Sequence, residues 1–452
     1  MQTLYADFGR QIGKIKEVNG VNNGPLTARF TIDHTQDFRE ARIPYSRLHD
    51  TEGSMGSGEF VNIHCVFPDF NADPELETSY RFEYTDLYLK AIQNAGTKVF
   101  YRLGETIENN YKFIRTYTHP PKDFKKWAKI CEGIIRHYNE GWANGLYMGI
   151  EYWEIWNEPD GLPNWSGTPE EFYELYAITA RHLKACFPEI NIGGYGSTGC
   201  FELHNDKQAP LDPNIHGTAL VYMEGFFRYI TAEPTKAPLD FFSWHCYTNK
   251  IENMQKETEY VRQLLDRYGF VNTQSILDEW NYMVDWSSQE GLVRKSMLGA
   301  AMVSGTLSML QKSDVDLAMY YDAEPNRMQF CGLFDAYLQK RTKTYYTFLA
   351  FAELLNCKNE IFTDESGSVL HCVGAKDDTG ACLLVTNYQA GDVNAEIKID
   401  GLATDKAVTA EFYTLDEEKD LSLTRKEYIY GGSGSLFLYM KENSITMIRF
   451  QQ

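Results

Sequence analysis

Between about residues 15 and 357, short apolar runs that end in polar residues alternate with longer amphipathic stretches. That order constrains the fold more than any other feature. Parallel strands need a crossover long enough for a helix, so a βαβα alternation predicts a parallel sheet covered by helices. The candidate strands are Lys16 to Gly20, Arg42 to Leu48, Thr97 to Leu103, Tyr152 to Trp156, Ile190 to Tyr195, Asp240 to Cys246, Gln274 to Asp278 and Val315 to Tyr320. Eight such units predict an α/β fold of the (β/α)8 barrel type.

The intervening segments carry helix signals. Thr168-Pro169-Glu170-Glu171 places a capping Thr, a first-turn Pro and a Glu three residues after the cap, which predicts a helix from Pro169 to about Cys186. Further helices are expected near Pro74 to Ala95, Pro121 to Asn139, Ala219 to Ile230, Glu252 to Tyr268, Gly291 to Leu310 and Thr342 to Asn356. Two βα loops are long, Asp50 to Asp73 and Gly196 to Gly217, and loops of that length are more often functional than idle.

From Glu360 the pattern changes to short alternating runs separated by Gly, Asp and Ser turns, among them Val369 to Val373, Cys382 to Thr386 and Leu436 to Met440. A small antiparallel β-sandwich is expected over 359–452, after a catalytic barrel over 1–358. The first fifteen or so residues precede the first barrel strand and are candidates to pair with this second unit. No internal repeat is visible, and Gly431-Gly432-Ser433-Gly434-Ser435 reads as a turn.

Composition removes several function classes. Sixty-three acidic against forty-three basic residues leave a formal charge of −20, which repels nucleic-acid phosphates and anionic membrane headgroups. The longest weakly polar run, Leu298 to Leu310, is thirteen residues interrupted by Ser and Gly, short of the ~20 needed to cross a bilayer. No nucleic-acid or membrane partner is therefore expected. Met1 to Asp7 has neither the basic start nor the apolar stretch of a secretory signal, so a cytoplasmic location is expected if Met1 is the native start. Nine scattered cysteines, none closer than ten residues to another, exclude CxxC motifs and predict reduced, mostly buried thiols. Aromatics are in excess at 14%, which fits either a large core or the flat platforms that stack on sugar rings.

In a parallel barrel the chemistry lies at the C-terminal strand ends. Two strand ends stand out. Glu151-Tyr152-Trp153-Glu154-Ile155-Trp156-Asn157-Glu158-Pro159-Asp160 leads an aromatic strand into an Asn-Glu pair that Pro159 terminates, and there an apolar surrounding would raise the pKa of Glu158 and suit it to general-acid work. Ser275-Ile276-Leu277-Asp278-Glu279-Trp280-Asn281 ends in two adjacent acids. Period-two alternation sends these to opposite faces, so only one is expected to point into the barrel, and Glu279 is the better candidate. Between them, Ser243, His245 and Tyr247 share a face of one strand, with His245 and Tyr247 placed to bind a substrate hydroxyl and steady a carboxylate. Arg47-Leu48-His49-Asp50 is a similar polar cluster, readable also as a salt-bridged strand end.

Trp153-Glu154-Ile155-Trp156-Asn157-Glu158-Pro159, with Glu279 ending a strand 121 residues after Glu158, resembles the acid/base and nucleophile pair of the clan A retaining glycoside hydrolases, which end barrel strands four and seven. Within the clan the chain most resembles glycoside hydrolase family 39, the family of β-xylosidases and α-L-iduronidases. The likeness covers Gly20-Val21-Asn22-Asn23-Gly24-Pro25, Ile43-Pro44-Tyr45-Ser46-Arg47-Leu48-His49-Asp50, the Trp-Asn-Glu-Pro motif, His245 with Tyr247, and the trailing β-domain. Met319-Tyr320-Tyr321-Asp322-Ala323-Glu324-Pro325-Asn326 departs from it, because family xylosidases usually carry a Trp-containing segment there.

The resemblance implies Glu158 as acid/base and Glu279 as nucleophile of a retaining, double-displacement glycosidase. It implies sugar contacts by Asn157, His49, Asp50, His245, Tyr247 and Glu324, with Trp280 also beside the pair and Trp153 and Trp156 grouped around it. No metal or cofactor is needed. The expected substrate is a short β-linked oligosaccharide, cut exo, with a xyloside first. The alternatives are an arabinosidase, glucosidase or disaccharide-releasing specificity, or a carbohydrate-binding barrel without catalysis. A homo-oligomer joined through the β-domain is compatible with the resemblance.

Overall fold

A computed structural model describes residues 1–27, 31–51, 61–106, 110–111, 114–115, 117–161, 164–204, 218–285, 289–324, 330–404 and 406–451. Parts of both long βα loops, 52–60 and 205–217, and the Pro325-Asn326 pair lie outside these.

Eight parallel strands close into a barrel in chain order: Gly20–Asn22, Tyr45–Arg47, Lys98–Leu103, Tyr152–Ile155, Asn191–Ser197, Phe241–Tyr247, Gln274–Asn281 and Leu317–Tyr320, the eighth pairing with the first. Each falls on or beside an apolar run in the sequence. The seventh runs three residues past the expected Asp278, so it carries both acids inside its ladder.

The barrel interior is built in layers by period-two alternation. Tyr45, Phe100, Tyr152, Phe241, Ile276, Leu317 and Met319 form a separate apolar cluster within the barrel. Two residues on along four of those strands stand Arg47, Arg102, Glu154 and Ser243, all fully buried. The inside thus changes from apolar to charged in the direction of the functional face.

The helix layer follows the caps written in the sequence. Thr168 Oγ accepts from the Glu171 N–H at 3.2 Å while Glu171 Oε2 accepts from the Thr168 N–H at 2.7 Å, which closes the expected capping box ahead of helix Pro169–Cys186. Two helices are shorter than expected. The one near Pro74 starts only at Glu83, because Asp73 caps a local turn and residues 77–79 form a 3-10 turn. The one near Gly291 breaks after Val293 and resumes as Met297–Gln311.

Nine further strands make a second sheet in the order Ser422–Ile429, Val408–Leu415, Ser444–Gln451, Ala381–Asn387, Leu370–Lys376, Asn359–Asp364, Gln2–Lys14, Val393–Asp400, Gly434–Met440. It is mixed rather than wholly antiparallel. The N-terminal strand pairs antiparallel with Asn359–Asp364 but parallel with Val393–Asp400, since a strand entering from the far end of the chain is not bound to hairpin polarity. Four inter-strand steps, about 19 Å in a flat sheet, separate Phe8 from Phe450, yet their ring centroids lie 4.8 Å apart. The sheet therefore folds over on itself as a sandwich does, around Leu4, Phe8, Ile397, Phe412 and Phe450.

Its other face joins the barrel. Leu384 and Met447 belong to the same core as Phe348 and Leu354 of helix Lys343–Cys357, and Gln311 Nε2 donates to Glu360 Oε2 at 2.7 Å. All nine cysteines are free, seven of them buried. Among the described residues no helix is long and apolar enough to cross a membrane.

Candidate active site

Arg47, on the second barrel strand, is the hub of the site. Its Nε lies 2.7 Å from Glu154 Oε2 and 2.8 Å from Asp278 Oδ2. Nη1 donates to Glu279 Oε1 at 2.7 Å and to Asn22 Oδ1 at 3.0 Å, and Nη2 donates to Asn157 Oδ1 at 2.7 Å. Burial alone would weaken this charge, but Asp278, Glu154 and Glu279 around it hold the guanidinium charged beyond its ordinary range. Two of the three carboxyls shift in opposite directions. Glu154, taking the Arg47 N–H and the Ser243 O–H at 2.6 Å, is held below its ordinary range despite burial, whereas burial lifts Asp278 well above it.

Asp278 and Glu279 both reach Arg47, against the expectation that alternation admits only one. The ladder between strands six and seven shifts there: Trp244 pairs with Leu277, but His245 pairs with Glu279. One extra residue in the seventh strand makes a bulge, which breaks the alternation and turns two successive side chains inward.

Glu279 Oε2 accepts from the Tyr247 hydroxyl at 2.7 Å. Glu158 stands opposite, its Oε1 2.8 Å from His245 Nδ1 and its Oε2 accepting from Asn164 Nδ2 at 2.9 Å. One oxygen of Glu158, one of Glu279 and a His245 ring nitrogen lie within 4.8 Å of one another. The two carboxyls differ in reach: the Glu158 side chain is 20% exposed and that of Glu279 6%. Burial pushes Glu158 up to about 7, against the pull of Arg47 and with help from Asp50. Burial also raises Glu279, opposed by His245 and Arg47. Burial takes His245 down to about 4, so its imidazole is neutral at neutral pH.

The strand ends are bent to make this arrangement. Trp156 and Glu158 have φ of 74° and 48°, and Asp50 has 54°. Left-handed backbone costs non-glycine residues about 1 to 2 kcal/mol each, and such residues gather where a site must aim its side chains. Gly196 (φ 59°) closes the fifth strand against the site: a Cβ there would stand 3.0 Å from Asn157 Oδ1 and 3.1 Å from both Arg47 Nη2 and His245 Nε2.

Asn157 Nδ2 lies 3.1 Å from His49 Nε2, which is 3.3 Å from Asp50 Oδ1, and Asp50 Oδ2 accepts from the Tyr321 hydroxyl at 2.7 Å. Thus Glu158, Glu279, Asn157, His49, Asp50, His245 and Tyr247 are brought together. Trp280 is not: it packs edge-on against Tyr320 (centroids 5.3 Å apart) within the core shared with the helix layer. Trp153 stacks on Tyr101 and Trp156 packs against Trp165 in that same core. Alternation explains the placement of Trp153 and Trp280, since each neighbours an inward acid. Glu324 is buried just beyond the eighth strand. Sequence reasoning missed Glu154, Asp278, Ser243 and Asn164 and undervalued Arg47. The available signal was polar residues standing two positions after Tyr45, Tyr152 and Phe241, which lie in the barrel's apolar cluster.

The model of Glycosyl hydrolases family 39 matches residues 48–387. The chain belongs to glycosyl hydrolase family 39. A β-xylosidase of Geobacillus stearothermophilus is 24% identical over 220 residues, 47% of this chain and 39% of that protein. A β-xylosidase of Caldicellulosiruptor saccharolyticus is 26% identical over 204 residues, 42% of this chain and again 39% of that protein. The family 39 chain thus spans about two fifths of the length of these curated relatives. A glucosidase from Croceicoccus marinus shares the fold at TM-score 0.80 and 21% identity, covering 100% of this chain and 99% of that one. A monomeric β-xylosidase from Caulobacter crescentus CB15 does so at 0.73 and 15%, also covering 100% and 99%.

Proposed function

We propose that this family 39 protein is a retaining glycosidase in which Glu158 is the acid/base and Glu279 the nucleophile. The observation that carries the reading is the proximity of the two carboxyls, with an oxygen of each within 4.8 Å of the other. Retaining enzymes hold this pair about 5 to 5.5 Å apart, whereas inverting enzymes need about 6.5 to 9.5 Å to seat a water between.

Glu158, protonated through its burial, gives its proton to the glycosidic oxygen while Glu279 attacks the anomeric carbon. The C–O bond to the leaving group breaks as the glycosyl ester to Glu279 forms. Arg47 and Tyr247 each donate to one Glu279 oxygen, which orients the attacking carboxylate and favours its ionised form against the burial that raises it. Water, deprotonated by the now anionic Glu158, then releases the sugar with retained configuration. Asn157, His49 and Asp50, linked to one another beside the pair, supply hydroxyl contacts.

The substrate we favour is a short β-linked oligosaccharide cut at its end, a β-xyloside before others. Support comes from the xylosidase relatives and from the length in the sequence of the loops after the second and fifth strands. A second specificity is favoured by one feature: Tyr321, not Trp, follows the eighth strand and holds Asp50, so a glucoside or arabinoside is the alternative.

Glu279→Ala should lower turnover of an aryl xyloside by several orders of magnitude, and azide should restore part of it as a glycosyl azide of inverted configuration. Loss without azide product would sink the nucleophile assignment. A panel of aryl β-xyloside, β-glucoside and α-arabinoside separates the specificities: a glucoside turned over faster than the xyloside overturns the xyloside reading and leaves the mechanism standing.

A further inference from the structure

A second set of ligand-bearing side chains converges outside the barrel lumen. Cys246 sits between inward-facing His245 and Tyr247 on the sixth strand, so alternation turns its thiol outward. There it meets Glu257 of helix Ile251–Arg267 and His204, which follows the 3-10 turn Phe201–Leu203 after the fifth strand. One ligand atom from each lies within 4.8 Å of the other two. Cys246 and Glu257 are fully buried, and the His204 side chain is 8% exposed.

Their geometry is not that of a settled hydrogen bond. His204 Nε2 stands 2.5 Å from Glu257 Oε1, yet among the described residues neither atom has a hydrogen-bond partner. The oxygen therefore lies off the N–H axis, and this close contact does not satisfy either atom as a hydrogen bond. Glu257 Oε2, in contrast, accepts from the Cys200 backbone N–H at 3.1 Å. Such outer contacts orient a ligating carboxylate. A carboxylate taken wholly out of water costs several kcal/mol unless a cation compensates it.

We propose that His204 Nε2, Cys246 Sγ and Glu257 Oε1 bind one zinc ion, which staples the loop after the fifth strand to the sixth strand and to the helix that follows it. The donor set selects the metal: thiolate, imidazole and carboxylate together suit Zn²⁺, whereas Ca²⁺ and Mg²⁺ take oxygen ligands. At Zn–ligand distances of about 2.0 to 2.3 Å tetrahedral ligands stand roughly 3.3 to 3.8 Å apart, so the His204–Glu257 pair opens on binding. As Zn²⁺ enters, the Cys246 proton leaves to solvent. The ligands are 42 and 11 residues apart in the chain, which is why no compact motif announces them. The site takes no part in the glycosidase chemistry and stands whether or not that reading does.

The test is the metal content of the full-length protein expressed in zinc-supplemented medium and passed over a chelating resin. About one zinc per chain is expected, falling below one tenth in Cys246→Ser and in His204→Ala. It should be retained in Cys186→Ser, which removes the half-exposed Glu132–His182–Cys186 cluster. Cobalt exchanged into the wild type should show a thiolate-to-metal charge-transfer band that Cys246→Ser abolishes. Wild-type protein with less than one tenth zinc overturns the proposal, as does zinc or a cobalt band that follows Cys186. Should Cys246→Ser not fold, His204→Ala decides alone: full zinc retention in that variant overturns the site.

Discussion

In the proposed mechanism Glu158 is a proton donor at a pH where an ordinary carboxyl is ionised, and its surroundings state the cost. Its pKa of about 7 in the fold against the ordinary 4.5 means that the folded chain binds a proton the unfolded chain has lost. The contribution of this group to stability is full below about 4.5 and is lost as pH rises through about 7. Two and a half pK units correspond to about 3 kcal/mol. Glu158→Gln should therefore be more stable than the wild type at pH 8 by up to about 3 kcal/mol, and the gap should shrink toward pH 5. Urea unfolding at the two pH values measures it, and equal gaps would refute the assignment of the raised pKa to Glu158. The same ionisation should appear in kcat/KM as a falling limb near pH 7. With a dinitrophenyl glycoside, whose leaving group needs no acid, Glu158→Gln should lose that limb. Glu158 and Glu279 were legible as candidates in the sequence because each follows an apolar run. Glu154 and Asp278 were not, because only their shared partner Arg47 explains why acids stand inside a barrel, and that pairing spans over a hundred residues.

At the level of elements, the eight barrel strands were legible because each buries an apolar run, while their exact hydrogen-bond register was not. The bulge that pairs His245 with Glu279 adds one residue to the seventh strand, and no side chain in Ser275 to Asn281 marks where. Its effect is chemical: it sets Asp278 and Glu154 at Nε of Arg47, with Glu279 at Nη1. Gly196 is the counterpart on the fifth strand. It admits the left-handed backbone, and its missing side chain leaves room for Asn157, Arg47 and His245. Gly196→Ala should cost about 1 to 2 kcal/mol of stability for the backbone alone and push at least one of those three groups out of place. The expected outcome is a drop in kcat of tenfold or more with the fold retained, read by steady-state kinetics beside far-ultraviolet circular dichroism. Wild-type kcat would mean that the strand can relax by a few tenths of an ångström without disturbing the site.

Across the whole molecule, the two sheets are coupled by a core that does not respect the boundary between them. Leu384 and Met447 of the second sheet share one cluster with the barrel's helix layer, whereas Leu4 and Phe8 of the N-terminal strand lie on the far face of that sheet, in the other cluster. The N-terminal strand is thus central to a sheet built mostly from the other end of the chain, a placement that composition and periodicity could suggest but not orient. All eight tryptophans lie between residues 127 and 286, in the part of the chain that carries the barrel strands and none of the second sheet's, so their fluorescence is used to follow the barrel. Phe8 is 1% exposed and packs edge-on against Phe450. Phe8→Ala should cost about 3 to 5 kcal/mol although it touches no barrel residue in that cluster. If the shared core makes one cooperative unit, the tryptophan-monitored and circular-dichroism-monitored urea midpoints of Phe8→Ala should fall together. A tryptophan midpoint that stays at the wild-type value while the dichroism midpoint falls would show that the second sheet melts by itself and that the barrel does not depend on it.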